Sequence, residues 1–584
     1  MTSSIVATDS VLTLDIGSTK TRAALFDVVG GFYRFIAAGT ATTTVGPPYN
    51  DAREGVVQAI HQLQETTGRT LIASDGSLLT PATPDGSGVD AVAATLSAGP
   101  PIRVVAVGLL DDVSLQSAVR LAQSTYSTIV EKVSMNDGRQ QARRIDAILH
   151  ARPEWIIFAG GLDGGATHSI HTLAEAVGLA SYLLPRNDRP VVLYAGNSEI
   201  RQEIKETLAP VVDVYTAPNI RPLLQEERLL AAGPAVRKVF KAVRAAQMFG
   251  LTEIDAWSEG RLLPAATAFG RMIHFLGRLY DPNKAVLGID VGSASVTVAA
   301  ASGGHLIQRV FSDLGMGESV EALLNAIPPE RITRWLPDTF DEERVLNFVA
   351  NKAAFPASVP ASAEELLLEQ AVGREVVAAA VRQTLKEHTV ETGRARPDIL
   401  PWTEPILLSG ALFSRSPSVA QALLVALDGL QPAGVTTVVL DQNELLPSLG
   451  VAAEVNPLLA VQVLESHAFL NLGTVIAPVG SARQGTPVLR LNVQFEDGRT
   501  TQAEIKFGTL ARIPLPSGKS AQVHVQPLHR FDVGLGGPGR GGRLQVAGGA
   551  LGIVIDARGR PLQLPKDATQ RSRLLERWRT ALTR

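Results

Sequence analysis

The sequence predicts an α/β protein made of two related halves, with a doubly wound parallel sheet inserted in the first half and a β-rich domain at its C-terminal end. Three observations predict this. An acid followed by a small-residue turn between apolar strands is written twice, as VLTLDIGSTKTRAALFDV at 11–28 and LGIDVGSASVTVAAAS at 287–302. Between them, over 102–220, short apolar runs alternate with amphipathic stretches, the pattern of parallel strands joined by crossover helices. After 468 the texture changes to short strands and many glycines.

The composition fits such an assembly. A chain of 584 residues exceeds one ordinary core, so three or four units are expected. With 45% hydrophobic and 19% charged residues and a net charge of -3, the balance does not suggest a nucleic-acid partner. Cysteine is absent, which removes disulfides, thiolate metal sites and cysteine nucleophiles. The start, MTSSIVATDS, lacks a basic segment and an apolar core, and no later run approaches a bilayer span. The expectation is a cytoplasmic protein with no membrane partner and an oligomeric state left open.

Taken in order, residues 1–101 read as the N-terminal part of the first lobe, mostly β, with a Gly/Pro/Asp-rich connection over 46–101. Residues 102–220 read as a flavodoxin-like subdomain, from IRVVAVGLL through EWIIFAGG and VVLYAGN to VVDVYTAPN, with helices between them. Residues 221–284 read as a helical segment completing the first lobe and ending at the turn DPNK. Residues 285–457 form the second lobe: strands, the helix AEELLLEQAVGREVVAAAVRQTLKEH, then PILLSGA and TTVVLD. Residues 468–584 read as a separate β-rich domain closing in a basic helix.

The repeated hairpin has a definite chemical capacity. In the first, Gly17 lets the backbone turn tightly and approach an anion. Ser18, Thr19 and Thr21 bring hydroxyls and amides, and Lys20 and Arg22 add positive charge. Phosphate would repel Asp15 unless a cation intervened, so Asp15 is placed to hold Mg²⁺ through its waters. The second hairpin repeats the pattern with Asp290, Gly292, Ser293, Ser295 and Thr297. Either hairpin alone also reads as an ordinary β-turn; the pair suggests two grips on one nucleotide.

The two hairpins, together with LLSGALF at 407–413, resemble the phosphate and adenosine motifs of the actin, Hsp70 and sugar-kinase ATPase fold. That resemblance implies ATP and Mg²⁺ as ligands, Asp15 and Asp290 as the catalytic acids, and Gly410 and Ala411 under the adenine or ribose. FAGGLDGGATHSIHTLAEAV, PVVLYAGN, FSDLGMGESV and VVLDQNELLPSLGVAAEVNP narrow it. Over 11–457 the chain resembles the MutL-type proteins associated with adenosylcobalamin-dependent glutamate mutase and aminomutases, unrelated to the mismatch-repair proteins of that name. This implies an accessory or reactivating ATPase for an adenosylcobalamin-dependent enzyme. The second hairpin departs from the wider fold at Ser293, where a second glycine is common, and at Val296 and Thr297, where an acid often follows in the Hsp70 group. The opening also resembles glycerol and xylulose kinases, so a small-molecule kinase is the alternative, and a nucleotide-free scaffold a third.

A second ligand site is suggested at the carboxyl edge of the inserted sheet by Gly160, Gly161, Asp163, Gly164 and Gly165, with Gly196 and Asn197 on the neighbouring strand end. Tight strand-to-helix turns explain these glycines equally well. His168 and His171 lack further ligands at metal spacing and read as solvated or capping residues. The GKS at 518–520 has Ile513 where a P-loop needs glycine, and FDVGLGGPGRGGRLQ reads as a surface loop.

Overall fold

The computed structural model describes residues 9–392 and 399–583, which form two compact units: Met1–Ala268 with Gly450–Leu459, and Phe269–Leu449 with Ala460–Arg584. In the first, β1 (Val11–Ile16), β2 (Lys20–Val29) and β3 (Phe32–Thr42) make an antiparallel meander. Helix α1 (Ala52–Thr67) follows, and β4 (Ala91–Leu96) returns parallel to β1. The connection over 46–101 is thus more structured than its Gly, Pro and Asp content predicts. Asp51 caps the helix by accepting from the Arg53 amide, and Val56, Ala59, Ile60 and Leu63 bury one face. The fit is close: a Cβ on Gly39 of β3 would stand 2.0 Å from the Ala59 carbonyl.

The inserted subdomain contains β5 (Ile102–Gly108), β6 (Ser127–Ser134), β7 (Trp155–Ala159), β8 (Val191–Tyr194) and β9 (Val214–Thr216), all parallel, in the order β6-β5-β7-β8-β9. This is the flavodoxin-like order expected. Helices α2 (Gln116–Gln123), α3 (Gln141–Ala151), α4 (His168–Leu183) and α5 (Arg201–Leu208) supply the crossovers. The chain then forms α6 (Gly233–Gln247) and returns to the first sheet as β10 (Leu262–Pro264), parallel to β4. Within 221–284, read as helical, β10 is therefore a strand; three residues are too few to show a period.

The second unit repeats the plan. Strands β11 (Ala285–Val291), β12 (Val296–Ser302) and β13 (His305–Phe311) form a meander, β14 (Thr403–Ser409) lies parallel to β11, and β15 (Gly434–Leu440) parallel to β14. Both sheets thus run third, second, first, fourth and fifth strand. That duplicated order is the actin, Hsp70 and sugar-kinase ATPase topology.

The unit limits differ from the sequence reading. The boundary falls inside helix Ala265–Leu279 and not at DPNK, because Phe269 and Ile273 pack on β11, where a Cβ on Gly288 would lie 2.4 Å from Ile273. Residues 450–459 belong with the first unit. There Glu454 takes Arg237 at 3.0 Å, Asn456 donates to the Tyr33 hydroxyl at 2.8 Å, and Val451 joins the Ala93 and Leu263 core.

The C-terminal region is β-rich, yet it does not stand wholly apart. Strands β16 (Leu470–Ala477), β19 (Leu510–Ile513) and β22 (Ile553–Asp556) extend the second sheet beyond β15. Strands β17 (Pro487–Phe495), β18 (Thr500–Lys506), β20 (Ser520–Pro527) and β21 (Gly542–Ala547) form a separate four-stranded sheet. Buried charges fasten the end of the chain. Asp428 binds Arg374 at 2.7 Å and Arg558 at 2.6 Å, while Asp556 binds Arg558 at 2.8 Å and Arg560 at 2.6 Å. Trp578 of the terminal helix lies under Arg558, 4.8 Å from ring centre to guanidinium. Burial alone would raise the Asp556 pKa, but Arg558 and Arg560 override it and hold the carboxyl well below the usual range.

Removing one member of this cluster leaves the others charged and buried, so Asp556→Asn is expected to cost about 3–5 kcal/mol in urea unfolding at neutral pH. Because the folded carboxyl has the lower pKa, its contribution is complete above the unfolded value. It should decline progressively as the pH falls below the ordinary carboxylate value and be gone once the pH has passed below the folded one, in strong acid.

Candidate functional site

In each sheet one carboxylate sits at the next-to-last residue of the central strand. Asp15 pairs across the hairpin with Arg22 and across the parallel neighbour with Thr95. Asp290 pairs with Thr297 and with Ser409 in the same two directions. Because strand side chains alternate, this register puts acid and hydroxyl on one face at the strand end. The Thr95 hydroxyl donates to Asp15 Oδ1 at 2.6 Å. Ser409 instead donates to Asp441 at 3.2 Å, and buried Asp441 also accepts the Leu445 and Leu446 amides, each at 2.8 Å. Asp15 and Asp290 are both half-buried, so solvent and ligand can reach them.

The two turns close in the same way. The Gly17 amide donates to the Lys20 carbonyl at 2.8 Å, and the Gly292 amide to the Ser295 carbonyl at 2.9 Å. A side chain at Gly17 would bring Cβ to 2.8 Å from the Lys20 carbonyl oxygen. Ser18, Thr19 and Lys20 are half-exposed around the first turn. Thr21, read as a ligand residue, is instead 1% exposed, with its hydroxyl on Thr43 at 3.3 Å and facing α1; it supports the turn from below. The Arg22 guanidinium lies 6.0 Å from the Phe35 ring centre.

A segment that the hairpin motif alone does not reveal braces the second turn. The Met316 and Gly317 amides donate to the Gly292 and Ser293 carbonyls, each at 2.9 Å, and the Ser319 hydroxyl donates to the Ala294 carbonyl at 2.8 Å. Gly317 must lack a side chain, since its Cβ would stand 2.1 Å from Ser293 Oγ. Ser293 is thereby packed under its own loop, and Ser295 is half-buried beside it. Gly410 is excluded from bearing a side chain twice over: at φ +91° a Cβ there would also lie 2.3 Å from the Val291 carbonyl oxygen, next to Asp290. Ala411 follows it, exposed, at the start of a short helix. Sequence reasoning missed Thr95 and, although it singled out LLSGALF, VVLDQNELLP and FSDLGMGESV, gave no role to Ser409, Asp441 or the 315–319 brace; the signal for the two hydroxyls was a Thr or Ser at or next to the end of an apolar run, in AVAATL and PILLS.

At the carboxyl edge of the inserted sheet the suggested residues do come together. Asp163 accepts from the Ser198 amide at 2.8 Å and from Asn219 at 2.9 Å, and the Asn197 amide donates to the Gly160 carbonyl at 2.8 Å. Burial opposes the Asp163 charge, but the bonds from Asn219 and Ser198 prevail and lower its pKa. Close packing accounts for two of the glycines: Cβ atoms on Gly161, at φ +74°, and Gly196 would lie 2.5 Å from the Ile170 side chain and 2.4 Å from the Gly160 carbonyl. Gly164 and Gly165 stand in the exposed turn. His171 pairs with Glu203 at 3.2 Å.

Among the described residues no group of three or more His, Cys, Asp or Glu could hold a metal, and no helix is long and apolar enough to cross a membrane. A lone, half-exposed carboxylate beside a hydroxyl fits a hydrated Mg²⁺ that takes its remaining ligands from phosphates.

The MutL protein family model matches residues 11–468, and the chain belongs to that family, the glutamate mutase-associated type. No curated protein matches the chain. Among solved structures it is similar to an acetone carboxylase in its nucleotide-free form (13% identity, 86% of this chain and 81% of that one, TM-score 0.31). It is similar also to a glycerol dehydratase reactivase (11% identity, 76% and 100%, TM-score 0.29). A third is a xylulose kinase from Bifidobacterium adolescentis (12% identity, 79% and 94%, TM-score 0.27). Likenesses of this size carry no functional argument.

The turn geometry ranks substitutions. Gly410→Ala combines positive φ with a backbone clash and is expected to lower stability by more than ~1 kcal/mol in thermal melts. Gly292→Ala, whose Cβ would have 3.1 Å to the Ser295 carbonyl, should cost less.

Proposed function

We propose that this MutL-family chain is an ATP-binding accessory protein whose acid-bearing hairpins are its MgATP-binding elements. The observation that carries the proposal is the duplicated geometry: a carboxylate at the same register position of both central strands, each beside a glycine turn closed by the same hydrogen bond. In this reading the amides around Ser18 and Thr19 and around Gly292–Ser295 meet the phosphates. Lys20 and Arg22 contribute positive charge, and Gly410 and Ala411 pass beneath the nucleoside. Asp15 holds Mg²⁺ through water, and the cation neutralises charge on the phosphates. Asp290 orients a water for attack, since phosphoryl transfer asks the protein for positioning and charge neutralisation more than for covalent participation.

A protein that binds nucleotide with different affinity in two conformations converts its turnover into a conformational change, and that change is what a partner enzyme receives. Family membership makes an adenosylcobalamin-dependent mutase or aminomutase the proposed partner, with the protein assisting or reactivating it. Calorimetry of the purified chain with MgATP tests the first step. Saturable, Mg²⁺-dependent binding is expected, weakened at least about tenfold (~1.4 kcal/mol) by Asp15→Ala. Asp290→Asn should retain binding and lose phosphate release. Indifference of the wild-type chain to MgATP would remove the proposal, and turnover appearing only with an added hydroxyl compound that becomes phosphorylated would make the protein a kinase.

A further inference from the structure

The segment between β13 and β14 carries a charge cluster for which the hairpin site has no use. Glu375, on the long helix Ala363–Thr392, is fully buried. Its Oε1 accepts from Arg334 at 2.6 Å and from the Trp335 indole at 2.9 Å. Its Oε2 has no hydrogen-bond partner of adequate geometry. Even so, an Arg331 nitrogen stands 3.3 Å and an Arg382 nitrogen 3.8 Å from that oxygen. Three guanidiniums therefore converge on one carboxylate.

Neutralising Glu375 does not require three arginines, because Arg334 and Trp335 already satisfy Oε1. The other two guanidiniums repel each other and Arg334 across a partly dry site. Burial, and then the neighbouring Arg331, pull the Arg382 guanidinium below its ordinary value, the direction expected where positive charge is in excess. The fourth arginine nearby, Arg374, is already committed to Asp428 at 2.7 Å. The three in question stay 39%, 31% and 35% exposed at Arg331, Arg334 and Arg382, so solvent reaches each side chain although all three are held at one carboxylate. Planar forks on a rigid base, with two charges uncompensated, match a tetrahedral dianion.

We propose that Arg331, Arg334 and Arg382, held from behind by Glu375, form a binding site for an oxyanion of the phosphate class. The site takes either free phosphate or the phosphoryl group of a small phosphomonoester. It stands apart from the nucleotide reading, and failure of either leaves the other intact.

The test is titration calorimetry of the full chain with inorganic phosphate and with glycerol phosphate, repeated on Arg331→Gln/Arg382→Gln, which leaves every hairpin residue in place. Saturable phosphate binding that weakens about tenfold or more in the double variant, with unchanged circular dichroism, is the expected result. Equal affinity for glycerol phosphate assigns the esterified source, and binding of phosphate alone assigns the free ion. A second readout needs no variant: phosphate should slow phenylglyoxal modification of Arg331 and Arg382, mapped by mass spectrometry, but not that of Arg499, which is 76% exposed. No saturable binding, equal binding in the double variant, or equal modification rates with and without phosphate would overturn the site.

Discussion

Each half of the chain depends on one small constraint: a glycine amide must reach the carbonyl three residues ahead while the strand before it ends in a half-exposed acid. Gly17 and Gly292 meet it with bonds of 2.8 and 2.9 Å. The consequences spread outward from there. A turn this tight sends the second strand straight back, which fixes the hairpin register. The register sets Asp15 opposite Arg22 and Asp290 opposite Thr297. The central strand then has one edge left, and a parallel fourth strand takes it, bringing Thr95 or Ser409 beside the acid. A backbone rule thus places a hydroxyl next to each half-exposed acid.

What surrounds the two sheets differs, and the differences carry the individuality of the chain. The first sheet is interrupted between β4 and β10 by a complete parallel sheet whose carboxyl-edge loops are locked by Asp163, Asn197 and Asn219. The second continues past β15 into strands from the C-terminal region, and the Asp428, Arg558 and Asp556 cluster fastens the chain end to helix Val419–Leu430. The second turn also leans on the 315–319 brace, whereas Thr43 covers the first, its amide on the Thr19 carbonyl at 3.1 Å. Ser293 tolerates the place of a second glycine because Gly315 and Gly317 leave room around its carbonyl and hydroxyl.

Much of this was legible in the sequence where a pattern has a single physical cause. The hairpins declared themselves through acid, glycine and flanking apolar runs, and the inserted sheet through fully apolar strands such as WIIFA separated by amphipathic helices. Legibility failed where two causes compete. Over 46–101 the turn residues masked a helix whose apolar positions 56, 59, 60 and 63 follow the helical period, and β4, AVAATL, is buried on both faces and so shows no alternation. The C-terminal strands looked autonomous because strand pairing beyond one hairpin leaves no local mark. Thr21 shows the same limit at the site. Its hydroxyl fits a phosphate loop by composition, but the strand period turns it inward beneath the turn. Nothing local in the sequence announces the convergence of Arg331, Arg334 and Arg382 on Glu375, since it depends on where helix Ala363–Thr392 crosses the preceding segment.

The central claim is that both acid-bearing turns are nucleotide-binding elements. Amide hydrogen exchange of the full chain, with and without MgATP, addresses it most directly because it reads both turns at once in the unaltered protein. Joint slowing at residues 17–21, 292–295 and 410–413, with one shared dependence on nucleotide concentration, is the expected outcome. Slowing confined to one turn, or at none of the three segments under saturating MgATP, would contradict it.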